Sequence, residues 1–225
     1  MQKIAIPVLD HGFVELIDLM GDDAEVARAA RISYGNTNDR EWSADAKLTK
    51  YLNDNHHTSP FEMIELKFRM KMPIFVARQL IRHRTANVNE FSMRYADPEK
   101  ISDSDSIDYY YPAEWRRPDA VNKQGSVIDP VITDDEIYSD AVENAISAYK
   151  LLQQRGIANE MARMVLPLST YTEWVWKNDL HNTLHLLRLR TDEHAQWETR
   201  CYAEAMLKCL KIALPKLMEV VWSND

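Results

Sequence analysis

The chain has few glycines, and their scarcity excludes the common nucleotide-binding loops. Of its 225 residues only five are glycine, at positions 12, 21, 35, 125 and 156, and no two lie close together. A phosphate-binding loop or a GxGxxG dinucleotide turn needs clustered glycines, because only then can the backbone approach phosphate closely. If this protein binds a nucleotide, its side chains must therefore make most of the phosphate contacts.

Cysteines and long apolar runs are also scarce. The two cysteines, Cys201 and Cys209, suit neither a disulfide framework nor a CxxC metal site. No apolar run approaches the roughly 18 to 20 residues that cross a bilayer, and the amino terminus lacks a signal-peptide pattern. We therefore expect a cytoplasmic protein with free thiols. The net charge of −8 argues against a dedicated nucleic-acid binder.

Residue patterning predicts an α+β chain with its strands early and its helices late. Strict alternation of apolar and charged residues over 64–72 predicts a half-buried strand, and residues 13–20 predict another. Pro73 is expected at the first position of a helix over 74–84. Further helices are predicted at 24–31, 44–54, 159–166, 171–190 and 197–214, and from a capping box at Thr133–Glu136 to Gly156.

Residues 100–133 form a long segment rich in Asp, Ser, Pro and Tyr. Loops of this length are uncommon in compact domains and are usually either functional or disordered. We interpret the segment as a mobile surface loop, with a lid over a site as the alternative.

Basic residues are concentrated in one part of this acidic chain. Residues 67–94 contain one acid, Glu90, and seven basic residues: Lys67, Arg69, Lys71, Arg78, Arg82, Arg84 and Arg94. We interpret the first three as a solvated strand face. The remaining four are all arginine, whose planar guanidinium binds phosphate or carboxylate in a bidentate manner. These arginines predict an anion-binding site.

The sequence RHRTANVNEFSMR, residues 82–94, carries the most specific motif. It resembles the signature of the flavin-dependent thymidylate synthases (the ThyX family), written RHR, seven residues, Ser, or more fully RHRxxSxNExSxR. Asn87 stands where the fuller pattern has its first serine. HTSPFE at 57–62, PIFVARQ, MARMVLP and LRLRTDEHAQWE resemble further blocks of the family in the same order. The resemblance covers roughly residues 10–210, apart from the 100–133 segment.

The resemblance implies a fold, a reaction and an assembly. The fold is α+β, with a mixed or antiparallel sheet flanked by helices, in one domain over residues 1–225. The reaction is the reductive methylation of dUMP to dTMP. Methylenetetrahydrofolate supplies the carbon unit, NADPH supplies electrons, and bound FAD is the redox cofactor. The implied assembly is a homotetramer with FAD and dUMP at subunit interfaces, without nucleic-acid or membrane partners.

The resemblance also assigns the substrate site residue by residue. The implied dUMP-binding residues are Gln79, Leu80, Ile81, Arg82, Glu90, Phe91, Ser92, Met93, Arg94, Arg163 and Arg190. Arg163 would bind the phosphate, and Arg190 would lie at the uracil ring, where a fixed cation favours the N3-deprotonated pyrimidine. Arg188 and Arg190 are two positions apart, so on a helix they point to nearly opposite sides. We expect only Arg190 to reach the site.

The flavin site is assigned in the same way. The implied FAD-binding residues are Ser59, Arg82, His83, Arg84, Glu90, Asp179, Leu180, His181 and His185. His57 would line the flavin face, and it joins Arg190 and Ser92 as a candidate catalytic residue. Tyr109–Tyr111 are candidate stacking partners for a pterin or nicotinamide ring.

Several alternatives remain open at this point. Ser92 could be a nucleophile, but a serine needs a neighbouring base, so a role in positioning dUMP is the preferred interpretation. His181 and His185, four apart, could share a metal ion in a hydrolase, although position 182 is Asn and lacks the HExxH glutamate. We expect no metal. The main alternative function is a non-catalytic nucleotide- or nucleic-acid-binding protein that uses the same arginines.

Overall fold

Five antiparallel strands form the main sheet, in the spatial order β1-β2-β3-β7-β4. The computed structural model describes residues 3–36, 38–104, 106–122, 125–128 and 135–222. The sheet strands are β1 (Ile4–Val8), β2 (Gly12–Met20), β3 (Glu65–Pro73), β4 (Asn87–Glu90) and β7 (Tyr171–Asp179). A separate ribbon pairs β5 (Arg116–Pro118) with β6 (Ser126–Ile128).

Helices cover the apolar face of this sheet. The helices within the described residues are α1 (Glu25–Arg31), α2 (Trp42–Asp54), α3 (Ile74–Leu80), α4 (Asp135–Gln154), α5 (Asn159–Ala162), α6 (Leu180–Arg190), α7 (Trp197–Ala213) and α8 (Pro215–Val221). Of these, α4 and α5 pack around a separate small cluster of Ile107, Tyr149 and Ala162. Helix α7 contacts β1, β2, α3, α6 and α8, and so lies at the centre of the core. The predicted α+β fold with an antiparallel sheet flanked by helices is confirmed. None of the helices described is both long enough and apolar enough to cross a bilayer.

The centre of the sheet is the pairing of β3 with β7, which runs from Glu65 opposite Asp179 to Pro73 opposite Tyr171. Side chains on a strand alternate between faces. The even-numbered residues of β3 and β7 therefore share one face, where Phe68 lies opposite Trp176 and both are buried. The strand predicted at 64–72 is confirmed, displaced by one residue at each end.

The prediction of helix throughout 171–190 is wrong in its first half. Residues 171–179 form strand β7, and α6 begins only at Leu180. Thr172, Trp174, Trp176 and Asn178 are all buried and recur at every second position, which is the period of a strand. The tryptophans are β-favouring residues that pack well on a pleated surface, but the helical pattern that follows them conceals this signal.

The opposite face of the sheet is polar, and here the interpretation of Lys71 as solvated is wrong. Lys67 is partly exposed and pairs with Asp18, and Arg69 pairs with Glu173. Lys71 is 3% exposed, and its Nζ lies 2.7 Å from Oδ2 of Asp108, which is also buried. Asp108, from residues 106–111, covers this end of the strand, and no period-2 pattern in β3 could reveal that.

The helix predicted over 74–84 is shorter than expected. Pro73 is the last residue of β3 and the N-cap of α3, with extended backbone, so it does not occupy the first helical position. The helix ends at Leu80, with Ile81 as its C-cap. Arg82 to Arg84 consequently lie in a turn between α3 and β4, where their side chains are less constrained in direction than on a helix.

The described part of the 100–133 segment is packed against the fold. Asp108 and Tyr110 are buried, and Tyr109 forms an isolated bridge with Thr170 beside β7. The segment also contains the β5–β6 ribbon. The capping box predicted at Thr133–Glu136 lies partly outside the described residues. The end of that helix agrees with prediction, because α4 stops at Gln154 and Gly156 follows with a positive φ of 80°.

Candidate active site

The turn from Arg82 to Arg84 lies between the end of a helix and the edge of the sheet. The backbone N–H of Arg82 donates to Gln79 O at 3.3 Å, and that of His83 donates to Leu80 O at 3.0 Å. The chain then enters β4, which pairs with β7 at the edge of the sheet. The two arginines are therefore exposed on a short connection that is held at both ends.

Four arginines that the sequence singles out lack an acidic partner among the described residues. Within the part of the chain that the structure describes, no carboxylate lies at ion-pair distance from Arg78, Arg82, Arg84 or Arg163. The basic residues of β3, in contrast, are all paired with acids. Clustered unpaired guanidinium groups attract anions, and they bind phosphate or carboxylate through bidentate hydrogen bonds. Among the described residues, Arg78, Arg82 and Arg84 of the predicted anion site are therefore left without an acid, whereas Arg94 pairs with Glu160, and the site itself stays a prediction.

Arg190, His83 and His185 form a contact group at the end of α6. Arg190 Nε donates to His83 Nε2 at 3.1 Å, and the rings of His83 and His185 are edge-on at 6.3 Å between centroids. Burial, followed by the charge of Arg190 and the neighbouring His185, lowers the pKa of His83 from 6.5 to about 4. His83 is therefore neutral at pH 7 and accepts the hydrogen bond from Arg190.

This lowered pKa predicts a loss of stability in mild acid. Between pH 6.5 and about 4 the unfolded chain protonates His83 while the folded chain does not, so the stability present above pH 6.5 falls as the pH drops towards 4. Because His83 is only half-buried, we expect a loss of about 1 kcal/mol. Urea unfolding of the FAD-free protein at pH 7 and pH 5 measures it. In the His83→Asn variant the free energy of unfolding should differ less between pH 7 and pH 5. If that difference were unchanged, His83 would not be its cause.

A second group of predicted residues surrounds a small polar pocket of about 60 Å³. His57 from the turn after α2 and His181 from α6 both line it, together with Arg188 and Asn53. Arg188 donates to Asn53 Oδ1 at 3.4 Å. Arg188 and Arg190 do point in different directions, as their spacing predicts. Arg190 contacts His83 and Arg188 lines the pocket with His57 and His181, and the expectation that only Arg190 reaches the uracil ring stays a prediction.

The signature residues from Glu90, the last residue of β4, to Arg94 follow the edge of the sheet next to β7. Glu90 Oε1 accepts a hydrogen bond from Thr172 Oγ1 at 2.8 Å. Ser92 Oγ accepts from the backbone N–H of Arg94 at 3.4 Å, and no basic side chain is hydrogen bonded to it within the described residues. This environment offers Ser92 no activating base, which favours the positioning interpretation over the nucleophilic one.

Arg94 contacts α5, the short helix that directly precedes Arg163. The guanidinium of Arg94 pairs with Glu160 at 3.1 Å, and Arg163 follows α5 directly in a short 3₁₀ turn. Both are predicted dUMP-binding residues from distant parts of the sequence. The tertiary structure thus places the MARMVLP block beside the end of the RHR block.

Not every predicted site residue has an accessible side chain. Leu80, Met93 and Leu180 are buried in the folded chain, and Ile81 and Ser59 are exposed. Asp179 is the N-cap of α6, where its carboxylate accepts from the backbone N–H of Asn182 at 2.8 Å and from its side-chain amide at 2.7 Å. The predicted flavin contact of Asp179 therefore competes with a capping function.

Sequence reasoning missed two residues that contact this region, and it set a third aside. Thr172 donates a hydrogen bond to Glu90, and Glu160 accepts hydrogen bonds from Arg94. Arg188 lines the small pocket together with His57. Arg188 had a sequence signal, since it is four positions from Leu184 and seven from His181, which line the same pocket. Thr172 and Glu160 had none, because their contacts cross between distant segments.

The rival metal site gains no support from the described residues. No group of three or more His, Cys, Asp or Glu side chains is arranged there to hold a metal ion. His185 instead faces His83. The two cysteines lie on α7, where burial raises the pKa of each thiol to about 11. Neither is a thiolate at neutral pH.

Comparison with known proteins identifies the family. The family model described as "Thymidylate synthase complementing protein" matches residues 15–216. A protein of Thermus thermophilus named flavin-dependent thymidylate synthase is 46% identical over 215 residues, which are 94% of this chain and 76% of that protein. One of the same name from Wolbachia pipientis wMel is 48% identical over 219 residues, covering 92% and 72%.

A solved structure agrees in fold. The UMP/dUMP methylase PolB from Streptomyces cacaoi, bound with 5-Br dUMP, is 29% identical in sequence and superimposes with a TM-score of 0.79 over 96% of each chain. These matches agree with the resemblance seen in the sequence. So does the turn Arg82–Arg84, in which His83 contacts Arg190. The chain therefore belongs to the family of flavin-dependent thymidylate synthases.

Proposed function

We propose that this protein is a flavin-dependent thymidylate synthase that methylates dUMP to dTMP. Methylenetetrahydrofolate is the carbon donor and NADPH the reductant. The observation that carries the proposal is the turn Arg82–Arg84, whose arginines lack acidic partners among the described residues and lie next to the Arg190–His83 contact. A dianionic nucleotide phosphate and a flavin diphosphate both match such a group of cations.

The residues of this turn fit FAD without a glycine loop. Arg82 and Arg84 are exposed and would hold the diphosphate. His185, in contact with His83, and His57, at the small pocket, are also exposed. Glu90, Ser59, Asp179, Leu180 and His181 complete the proposed FAD site. When bound, the flavin would supply the electrons that complete the methyl group. The chain itself binds, orients and shields the reactants.

The dUMP site is proposed on the signature segment and the two later arginines. Arg163 and Arg94 would bind the phosphate, and Ser92 and Glu90 would position the nucleotide. Gln79 and Arg82 complete the contacts from α3 and the turn, together with Leu80, Ile81, Phe91 and Met93. Arg190 would lie at the uracil ring. There its fixed positive charge lowers the pKa of N3–H and increases the electron density at C5, the atom that is methylated.

We further propose that the whole chain is one catalytic domain that works in the cytoplasm as a homotetramer. Large apolar side chains are exposed around Arg163, with Met161 at 54%, Met164 at 73% and Leu168 at 59%. Contiguous exposed apolar surface is characteristic of protein interfaces. A second copy covering this patch would enclose the site, which is open in the single chain.

The visible absorption spectrum of the purified protein tests the proposal first. We expect a flavin spectrum that NADPH bleaches, at a rate that dUMP changes. Methylenetetrahydrofolate should then yield dTMP from dUMP, measured by chromatography of the nucleotides. A colourless protein that takes up no FAD would contradict the proposal, and light scattering of the same sample would test the tetramer independently.

A further inference from the structure

A buried carboxylate on α7 is connected to Gln79 by hydrogen bonds. The Glu198 side chain is 3% exposed. Its Oε2 accepts from Gln196 Nε2 at 3.0 Å, and Gln196 Oε1 in turn accepts from Gln79 Nε2. Gln79 lies on α3, more than a hundred residues away in sequence. We call the connection Glu198–Gln196–Gln79 the amide relay.

The other carboxylate oxygen of Glu198 is bound by Tyr110 and Arg116. Glu198 Oε1 accepts from the guanidinium of Arg116 and, at 3.3 Å, from the hydroxyl of Tyr110. Arg116 also lies over the ring of Trp197, 5.2 Å from its centroid. Burial and the charge of Glu198 raise the pKa of Tyr110, so its hydroxyl remains a donor. Each oxygen of the carboxylate is thus satisfied, and its charge is balanced by Arg116.

The chemistry of the relay fixes the orientation of two amides. An ionised carboxylate only accepts hydrogen bonds, so it selects the orientation in which Gln196 turns its NH₂ group towards Glu198. The carbonyl oxygen of Gln196 then faces Gln79 and can only accept. Gln79 must present its NH₂ group to Gln196, and its own carbonyl oxygen is left to accept from another donor. An amide fixed in this way loses less freedom when it binds a ligand.

We propose that Glu198 is a positioning residue for nucleotide binding, acting through Gln196 to hold Gln79 in one orientation. The inference rests on the proposed function, in which Gln79 contacts dUMP. Glu198 itself touches no substrate in this account.

A double-mutant cycle tests the relay on FAD-loaded full-length protein. Glu198→Gln keeps the shape but can also donate, so it no longer selects one orientation of Gln196. We expect it to weaken dUMP binding, measured by calorimetry, roughly tenfold, and Gln79→Ala to do the same. The double variant should bind dUMP no more weakly than Gln79→Ala alone, since the relay then has nothing to position. KM for dUMP should rise while kcat changes little.

Two further variants separate positioning from folding. Tyr202→Phe removes a hydrogen bond that another buried residue of α7 donates to Lys71 O, leaves the relay intact, and should bind dUMP within about twofold of the original protein. Gln196→Ala interrupts the relay on a half-buried side chain without leaving a charge unpaired, and it should repeat the effect of Glu198→Gln. Flavin absorbance and the thermal unfolding midpoint establish that each variant is folded.

The outcomes distinguish this inference from the function on which it rests. If Gln79→Ala binds dUMP normally, the assignment of Gln79 to the nucleotide fails and the relay has no such function. If Gln79→Ala is weakened but Glu198→Gln and Gln196→Ala are not, only the relay is refuted. Additive losses in the double variant would also refute it, because they would mean that Glu198 acts elsewhere.

Discussion

Arg190→Ala should reduce the rate of dTMP formation by about 10² to 10³-fold, the usual cost of removing a fixed group that stabilises developing charge. In the structure Arg190 ends α6 and donates to neutral His83. In the proposed site, its removal would take away the cation beside the uracil ring that favours the reactive pyrimidine. The flavin should remain largely bound, because Arg82 and Arg84 are untouched. Single-turnover assays of dTMP and the flavin absorbance of the same sample measure both effects.

A local readout and two controls accompany this variant. The charge of Arg190 lowers the pKa of His83, so removing it should raise the pKa of the His83 imidazole, followed by NMR titration. Arg190→Lys keeps the charge and should recover part of the rate. Arg28→Ala removes an arginine that pairs with Asp22 and Glu25, far along the chain, and should leave turnover unchanged. Normal turnover in Arg190→Ala would remove Arg190 from the mechanism.

Asp108→Asn should lower the free energy of unfolding by about 3 to 5 kcal/mol, the range observed when one partner of a buried ion pair is removed. The Lys71 and Asp108 side chains are 4% and 5% exposed, and Ser102 Oγ also donates to the carboxylate at 2.8 Å. The substitution leaves the ammonium of Lys71 buried without a counter-charge. Urea unfolding of the FAD-free protein at neutral pH measures the loss.

The same strand offers a matched control for the pair. Lys67 pairs with Asp18 at 3.0 Å, but these side chains are 41% and 64% exposed. Exposed pairs contribute about 0 to 1 kcal/mol, so Asp18→Asn should change the stability by no more than that. If Asp108→Asn and Asp18→Asn lowered the free energy of unfolding equally, the burial of Lys71 would not determine the size of the loss. Lys71→Met in the Asp108→Asn protein should recover part of the loss, because it removes the buried charge.

The sheet and the signature differ in how far each could be predicted. Strand β3 was predictable because its alternation extends over a whole strand with one buried face. Strand β7 has the same period in Thr172, Trp174 and Trp176, but the helical pattern after it concealed the boundary. The end of α3 at Leu80 depends on the turn into β4, whose four residues are stable only because β7 lies beside them.

The sequence by itself determined the family and the fold class. Motifs such as RHRTANVNEFSMR place specific side chains at fixed spacings along the chain, and patterning sets the α+β order. Only the tertiary structure decided that Lys71 is buried on Asp108, that Arg190 meets His83, and that Glu198 is connected to Gln79. These contacts join segments 37 and more than 100 residues apart. Local spacing carries no information about such contacts, because packing of distant segments alone brings their side chains together.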